Sequence, residues 1–169
     1  MKKRKHSTFN SDKSRAGIQH STPKDSEWAV LEFNEGAGGN RKFDLEDRLL
    51  EFASAVIDLS ESLPDTRAGN HVAGQILRSG TSPYPNHGEA EAAESRDDFI
   101  HKLKICLKEL RESRRWARLI KRKAWTKNDA TLLFVLGECE ELIRIFHSSI
   151  QTAKRNARAE SRNSPDKAH

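Results

Sequence analysis

The chain has 169 residues, 33% of them charged and 35% hydrophobic, with a formal net charge of +5. That length suits one compact domain of ordinary size. No apolar run approaches the 18 or so residues of a membrane span, the basic N-terminus lacks the apolar segment of a signal peptide, and two cysteines make no disulfide framework. The sequence reads as cytoplasmic, with no membrane partner.

The charge is unevenly placed. Residues 1–42 carry nine Lys/Arg against five Asp/Glu, residues 158–169 three against two, and residues 43–157 eighteen of each. The positive excess therefore lies in the two ends, which weakens the inference to nucleic acid that a high pI invites. Residues 1–42 are rich in Lys, Ser, Asn and Gly, too polar to offset the entropy of ordering them, and are expected to form a disordered basic tail. Their one apolar cluster is Trp28, Ala29, Val30, Leu31, Glu32 and Phe33. It is open to three readings: a short strand, a docking peptide or a loosely held segment. Residues 158–169 are expected to form a second disordered tail.

Between the tails, apolar residues recur with helical period. In the first segment Leu45, Leu49, Phe52, Val56, Leu59 and Leu63 step by four and three; Phe43 or Asp44 starts it, and Pro64 and Asp65 end it. A second helix is expected from about Ala68 to Ser79, then a break across residues 81–87 at Pro83 and Pro85, then a helical turn at 89–94. The third segment repeats the step through Phe99, Leu103, Cys106, Leu110, Ser113, Ala117 and Ile120, with Ser95 and Asp98 spaced as a capping box. The fourth does so through Leu132, Leu136, Cys139, Ile143, Phe146, Ile150 and Ala153, with Asn128 or Asp129 as its cap. Four amphipathic helices over 43–157 with no strand signal predict an all-α, antiparallel up-and-down four-helix bundle.

The polar faces are less neutral than their total. On the third helix Lys104, Lys108, Arg111, Arg115, Arg118 and Arg122 line the side opposite the seam. On the first, Asp44, Asp47, Glu51, Ser54, Asp58, Glu61 and Asp65 form an acidic ladder broken by one serine. Like charges at this spacing disfavour an isolated helix by a few tenths of a kcal/mol per pair. Three readings are open to the cationic stripe: a solvated face, a seat for a phosphate backbone, or a partner for the acidic helix of a neighbouring subunit. Trp116 reads either as core or as part of an oligomer face, where aromatics and arginine are enriched.

Catalytic groupings are scarce. Asp98 and His101 would offer two metal ligands, but a carboxylate-bridged bundle needs a Glu-x-x-His on each of two helices plus two further glutamates, and neither is present. Cys106 and Cys139 fall on the seam and read as buried small hydrophobes. No catalytic residue, metal site, cofactor or small-molecule substrate is expected.

One stretch is specific enough to resemble a known family. It comprises Gln75, Ile76, Leu77, Arg78, Ser79, Gly80, Thr81, Ser82; Asn86; Glu89, Ala90, Glu91, Ala92, Ala93, Glu94, Ser95, Arg96; and Asp98, Phe99, Ile100, His101, Lys102, Leu103. Lys108, Glu109, Leu110, Arg111, Glu112, Ser113 and Trp116 follow, with Glu138, Cys139, Glu140, Glu141, Leu142 and Thr152, Ala153, Lys154 in the last helix. Together they resemble the four-helix-bundle proteins encoded in bacterial ribosomal-RNA intervening sequences, over about residues 43–156. The resemblance implies a homopentameric ring without established enzymatic activity. The accessory variability determinant of diversity-generating retroelements belongs to the same bundle group and partners a reverse transcriptase and template RNA. Carried over by position, this would give Lys104, Lys108, Arg111, Arg115, Arg118 and Arg122 an RNA or reverse-transcriptase role. Independently of the resemblance, the charged faces make the acidic Asp44, Asp47, Glu51, Asp58 and Glu61, with Trp116, the expected subunit interface. Pro83, Tyr84, Pro85, Asn86 and His87 depart from the small residues usual in the family, as does the long basic N-terminal tail.

Overall fold

The structure is a computed structural model that describes residues 45–127 and 129–163. Asp44, the apolar cluster at 28–33 and the alternative cap Asn128 lie outside these residues. Among the described residues five α-helices follow in order: α1 Leu45–Glu61, α2 Arg67–Thr81, α3 Pro83–Glu91, α4 Arg96–Lys123 and α5 Asp129–Asn163. No strand occurs among the described residues. The last helix continues past the expected boundary at 157.

Several helix ends have a local reason. Thr66 and Ser95 have extended backbones, and their hydroxyls accept from Gly69 N at 3.0 Å and Asp98 N at 3.2 Å, satisfying amides that a helix start leaves open. At the other end of α4, Ala124 adopts the left-handed conformation with φ 48°. Its N–H donates to Lys121 O and that of Trp125 to Ile120 O, which closes the last turn.

The proline segment corrects the expected break across 81–87. Helix resumes at Pro83, and the interruption shrinks to Ser82, itself in the right-handed helical region at φ −60° and ψ −37°. Pro83 and Pro85 occupy the first turn of α3, where a missing amide has no intrahelical partner to lose. The following Asn86 takes Ser82 O twice, from its backbone N at 3.3 Å and its Nδ2 at 2.8 Å. α2 and α3 thus form one rod with a joint, and the helical turn expected to reach 94 ends at Glu91.

The helices pack as a four-cornered bundle. α1 lies against the α2–α3 rod and α5, and α4 also lies against that rod and α5, while α1 and α4 are not packed on one another. Contacts between neighbours run in opposite sequence directions. Arg78 meets Glu112 and Glu89 meets Lys102; Arg96 meets Glu160 while Leu110 meets Cys139; Arg48 meets Glu138 while Ser62 meets Thr126.

The expected α4 seam is buried throughout, from Phe99 to Ile120, as is α1 from Leu45 to Leu59. On α5 five of the seven expected seam residues are buried, Leu132, Cys139, Phe146, Ile150 and Ala153, and the seam departs from expectation at the other two. Val135 and Leu142 are fully buried, while Leu136 and Ile143 are only partly so. Both sets are apolar, so the pattern alone did not choose between them. Ser79 and Ser113 are fully buried, and their hydroxyls lie 3.0 Å apart, with Ile76 O and Glu109 O as further acceptors.

Candidate interaction surfaces

The geometry that matters follows from the packing. A helix at one corner presents its seam inward and its opposite side to solvent. Lys104, Lys108, Arg111, Arg115, Arg118 and Arg122 are all exposed along the outer side of α4. Asp47, Glu51, Ser54, Asp58 and Glu61 are exposed along the outer side of α1. Because α1 and α4 hold opposite corners, the two ladders look away from each other across the bundle.

Few ion pairs among the described residues neutralise either ladder. Among the described residues the only ion pair on the cationic stripe joins Lys108 to the adjacent Glu109, at 3.6 Å. Glu51, Asp58 and Glu61 form no ion pair with a described cation. Pairs between helices form at other positions: Arg48 with the half-buried Glu138 at 2.6 Å, Arg78 with Glu112 at 3.0 Å, and Lys102 with Glu89. Arg96 clasps Glu160 with both guanidinium amines, at 2.5 and 2.9 Å, holding that carboxyl below the usual carboxylate range.

The C-terminal half of the stripe is indented. Arg115, Arg118, Leu119, Lys121 and Arg122 line an open depression of 660 Å³. Four cations around one hollow offer forked and point-charge donors to carboxylates or phosphates. Beyond Leu119 lies a second, more apolar cleft of 850 Å³, lined by the first two turns of α2, by Trp116 and Leu119 of α4 and by Trp125 after it. Trp116 sits there, partly buried against the core, with its Nε1 donating to Glu112 at 3.3 Å and His71 edge-on at 6.2 Å.

Cys106 and Cys139 are sealed in the seam, and burial pushes each thiol up to about 12. Their sulfurs donate to Pro83 O and Leu110 O. Among the described residues no three His, Cys, Asp or Glu side chains gather where they could hold a metal ion, and no helix is long and apolar enough to cross a membrane.

The sequence profile of the 23S rRNA-intervening sequence protein family matches residues 41–148, more than half of the chain. The chain belongs to this family. A solved structure, that of a protein of unknown function from the S23 ribosomal protein family of Bacteroides thetaiotaomicron, is 36% identical. It aligns over 63% of this chain and 94% of its own, with a TM-score of 0.56. No curated protein matches. Both descriptions leave the biochemical role open, and neither the family nor the solved relative is known as an enzyme. The match ends before the last turns of α5, so the Arg96–Glu160 clasp lies partly outside it.

Several apolar surface groups lie outside the buried seams. Leu50 and Ile57 of α1, Leu77 of α2, Leu119 of α4, and Leu133 and Phe134 of α5 are exposed large hydrophobics. Leu50 and Ile57 stand seven residues apart on one flank of α1, a spacing visible in the sequence but masked by the stronger seam beside it. His71 and Trp125 join Trp116 only through the turn after α4, which no local pattern announces.

Proposed function

We propose that this family member is a non-enzymatic scaffold that assembles with copies of itself, the acidic face of α1 on one subunit meeting the basic face of α4 on the next. The observation that carries this reading is the opposed placement of two charge ladders, in which Glu51, Asp58, Glu61, Lys104, Arg111, Arg115, Arg118 and Arg122 have no ion pair among the described residues. Such a contact is heterologous, and it forms a ring when the rotation between copies closes. The family resemblance favours five copies. Asp47, Glu51, Asp58 and Glu61 would supply one side of the contact, with Asp44 extending it. Lys104, Lys108, Arg111, Arg115, Arg118 and Arg122 would supply the other. Trp116 would add apolar area beside the cationic stripe.

A second reading is favoured by the hollow between Arg115 and Arg122, whose four cations suit a phosphate backbone of structured RNA or an acidic surface of a reverse transcriptase. Such binding would weaken steeply with salt, because counterions released into a more concentrated solution gain less entropy.

Light scattering after size exclusion separates the two. Replacing Arg111, Arg115 and Arg118 with Glu is expected to convert the assembly to monomers at low and moderate salt. An intact assembly in that variant, with loss of salt-sensitive retention of a structured RNA, would instead support the second reading. An assembly and an RNA retention both unchanged by the triple replacement would dismiss both.

A further inference from the structure

The cleft beyond Leu119 has the composition of a binding site and no occupant among the described residues. His71, Val72, Trp116, Leu119 and Trp125 give it apolar and aromatic walls. Arg67 stands at its edge, Lys123 lies 5.8 Å from the Trp125 ring, and Leu119 also lines the depression that holds Arg115, Arg118, Lys121 and Arg122. The surface is thus aromatic within and cationic around, a combination that suits an apolar peptide carrying acidic residues.

The chain contains one such peptide. Residues 25–35 hold Trp28, Val30, Leu31 and Phe33 among Asp25, Glu27, Glu32 and Glu35, with no Lys or Arg. The rest of residues 1–42 has nine cations, one acid and no comparable apolar group. We infer that residues 27–33 dock in the Trp116–Trp125 cleft of the same chain, their aromatic side chains against its walls and their carboxylates against the surrounding arginines.

The reach is sufficient. The cleft lies at the far end of α1, because α2's first turn abuts the turn after α1, where Gly69 packs against Pro64. α1 has 17 residues and is about 25 Å long at 1.5 Å per residue. Phe33 and Leu45 are twelve residues apart in sequence, a stretch that spans up to about 40 Å when extended. Docking would also cover the Arg118–Arg122 end of the cationic stripe, so the segment would compete with any anionic partner there.

The test is fluorine NMR of the full chain carrying 5-fluorotryptophan, which places one reporter at each of Trp28, Trp116 and Trp125. Trp28→Ala identifies its resonance. In the wild-type chain that resonance is expected away from its position in the denatured chain, and removing Trp28 is expected to shift the other two. Leu119→Glu, at a position already 38% exposed and therefore tolerant in folding, is expected to return the Trp28 resonance to its denatured position. A wild-type Trp28 resonance already at that position overturns the proposal. So does its release on dilution, which would assign the cleft to a neighbouring copy's segment. A single-stranded RNA oligonucleotide that shifts Trp116 and Trp125 while Trp28 stays at its denatured position would give the cleft to nucleic acid and likewise overturn it.

Discussion

Gly80 lies against Val56 with no room for a side chain between them: a Cβ built on the glycine would fall 2.5 Å from Val56 Cγ1 and 2.7 Å from Cγ2. The valine is fully buried and branched at Cβ, so it cannot swing aside. This contact sets how closely α1 and the α2–α3 rod approach.

Gly80→Ala is therefore expected to destabilise the fold, although alanine is the better helix former by about 1 kcal/mol. Overpacking of this kind costs roughly 1–3 kcal/mol, leaving a net loss of up to about 2 kcal/mol in urea unfolding. Adding Val56→Ala should restore part of it, with the pair less destabilising than the sum of the singles. Additive losses would show that the two residues do not limit the approach of the helices.

Ala124 supports the opposite expectation. A non-glycine residue in the left-handed region costs about 1–2 kcal/mol, partly offset by the greater chain freedom that glycine loses on folding. Ala124→Gly should stabilise the protein by about 0.5–1 kcal/mol, and Ala124→Val should destabilise it by more than that. A neutral or harmful glycine would mean that the turn into Trp125 does not require positive φ.

The thiols predict a loss of stability on the alkaline side. An unfolded cysteine ionises near 8.5, whereas the folded Cys106 and Cys139 thiols are pushed to about 12. The folded state therefore holds protons that the unfolded state releases, so stability is full below about pH 8.5 and falls as pH rises toward 12. The loss should be on the order of 2 kcal/mol per thiol by pH 10, at 1.36 kcal/mol per unit. Cys106→Ala with Cys139→Ala will start lower at pH 7 through lost packing, yet decline less between pH 8.5 and 10. Parallel curves would refute the assignment. Disulfide-exchange reagents should react with the native protein only at the rate at which it opens.

The seams of α1 and α4 were readable because one apolar stripe has no rival: every residue from Phe99 to Ile120 at the expected spacing is buried. In α5 the neighbours Val135 and Leu136, and Leu142 with Ile143, are all apolar, and only packing decides which faces inward. The proline segment misled for a different reason. Pro83 and Pro85 break a helix that must pass through them but suit one that begins there, and the sequence does not say which applies. Ala124 was unreadable as a helix stop, since glycine is the usual residue at that conformation. The two charge ladders were plain in the sequence, whereas their opposition across the bundle required knowing that α1 and α4 hold diagonal corners. The Trp116–Trp125 cleft depended on a chain reversal without a local signature.

Opposed ladders also make each molecule directional. A subunit whose α4 stripe is reversed keeps its α1 face, so under the proposed contact it can join one neighbour and cannot receive the next. Such a variant is more than an inert copy: mixed with the normal chain, it is a terminator. One copy in a growing array would leave an end that nothing extends, and sub-equimolar amounts would shorten the assemblies of the unaltered protein.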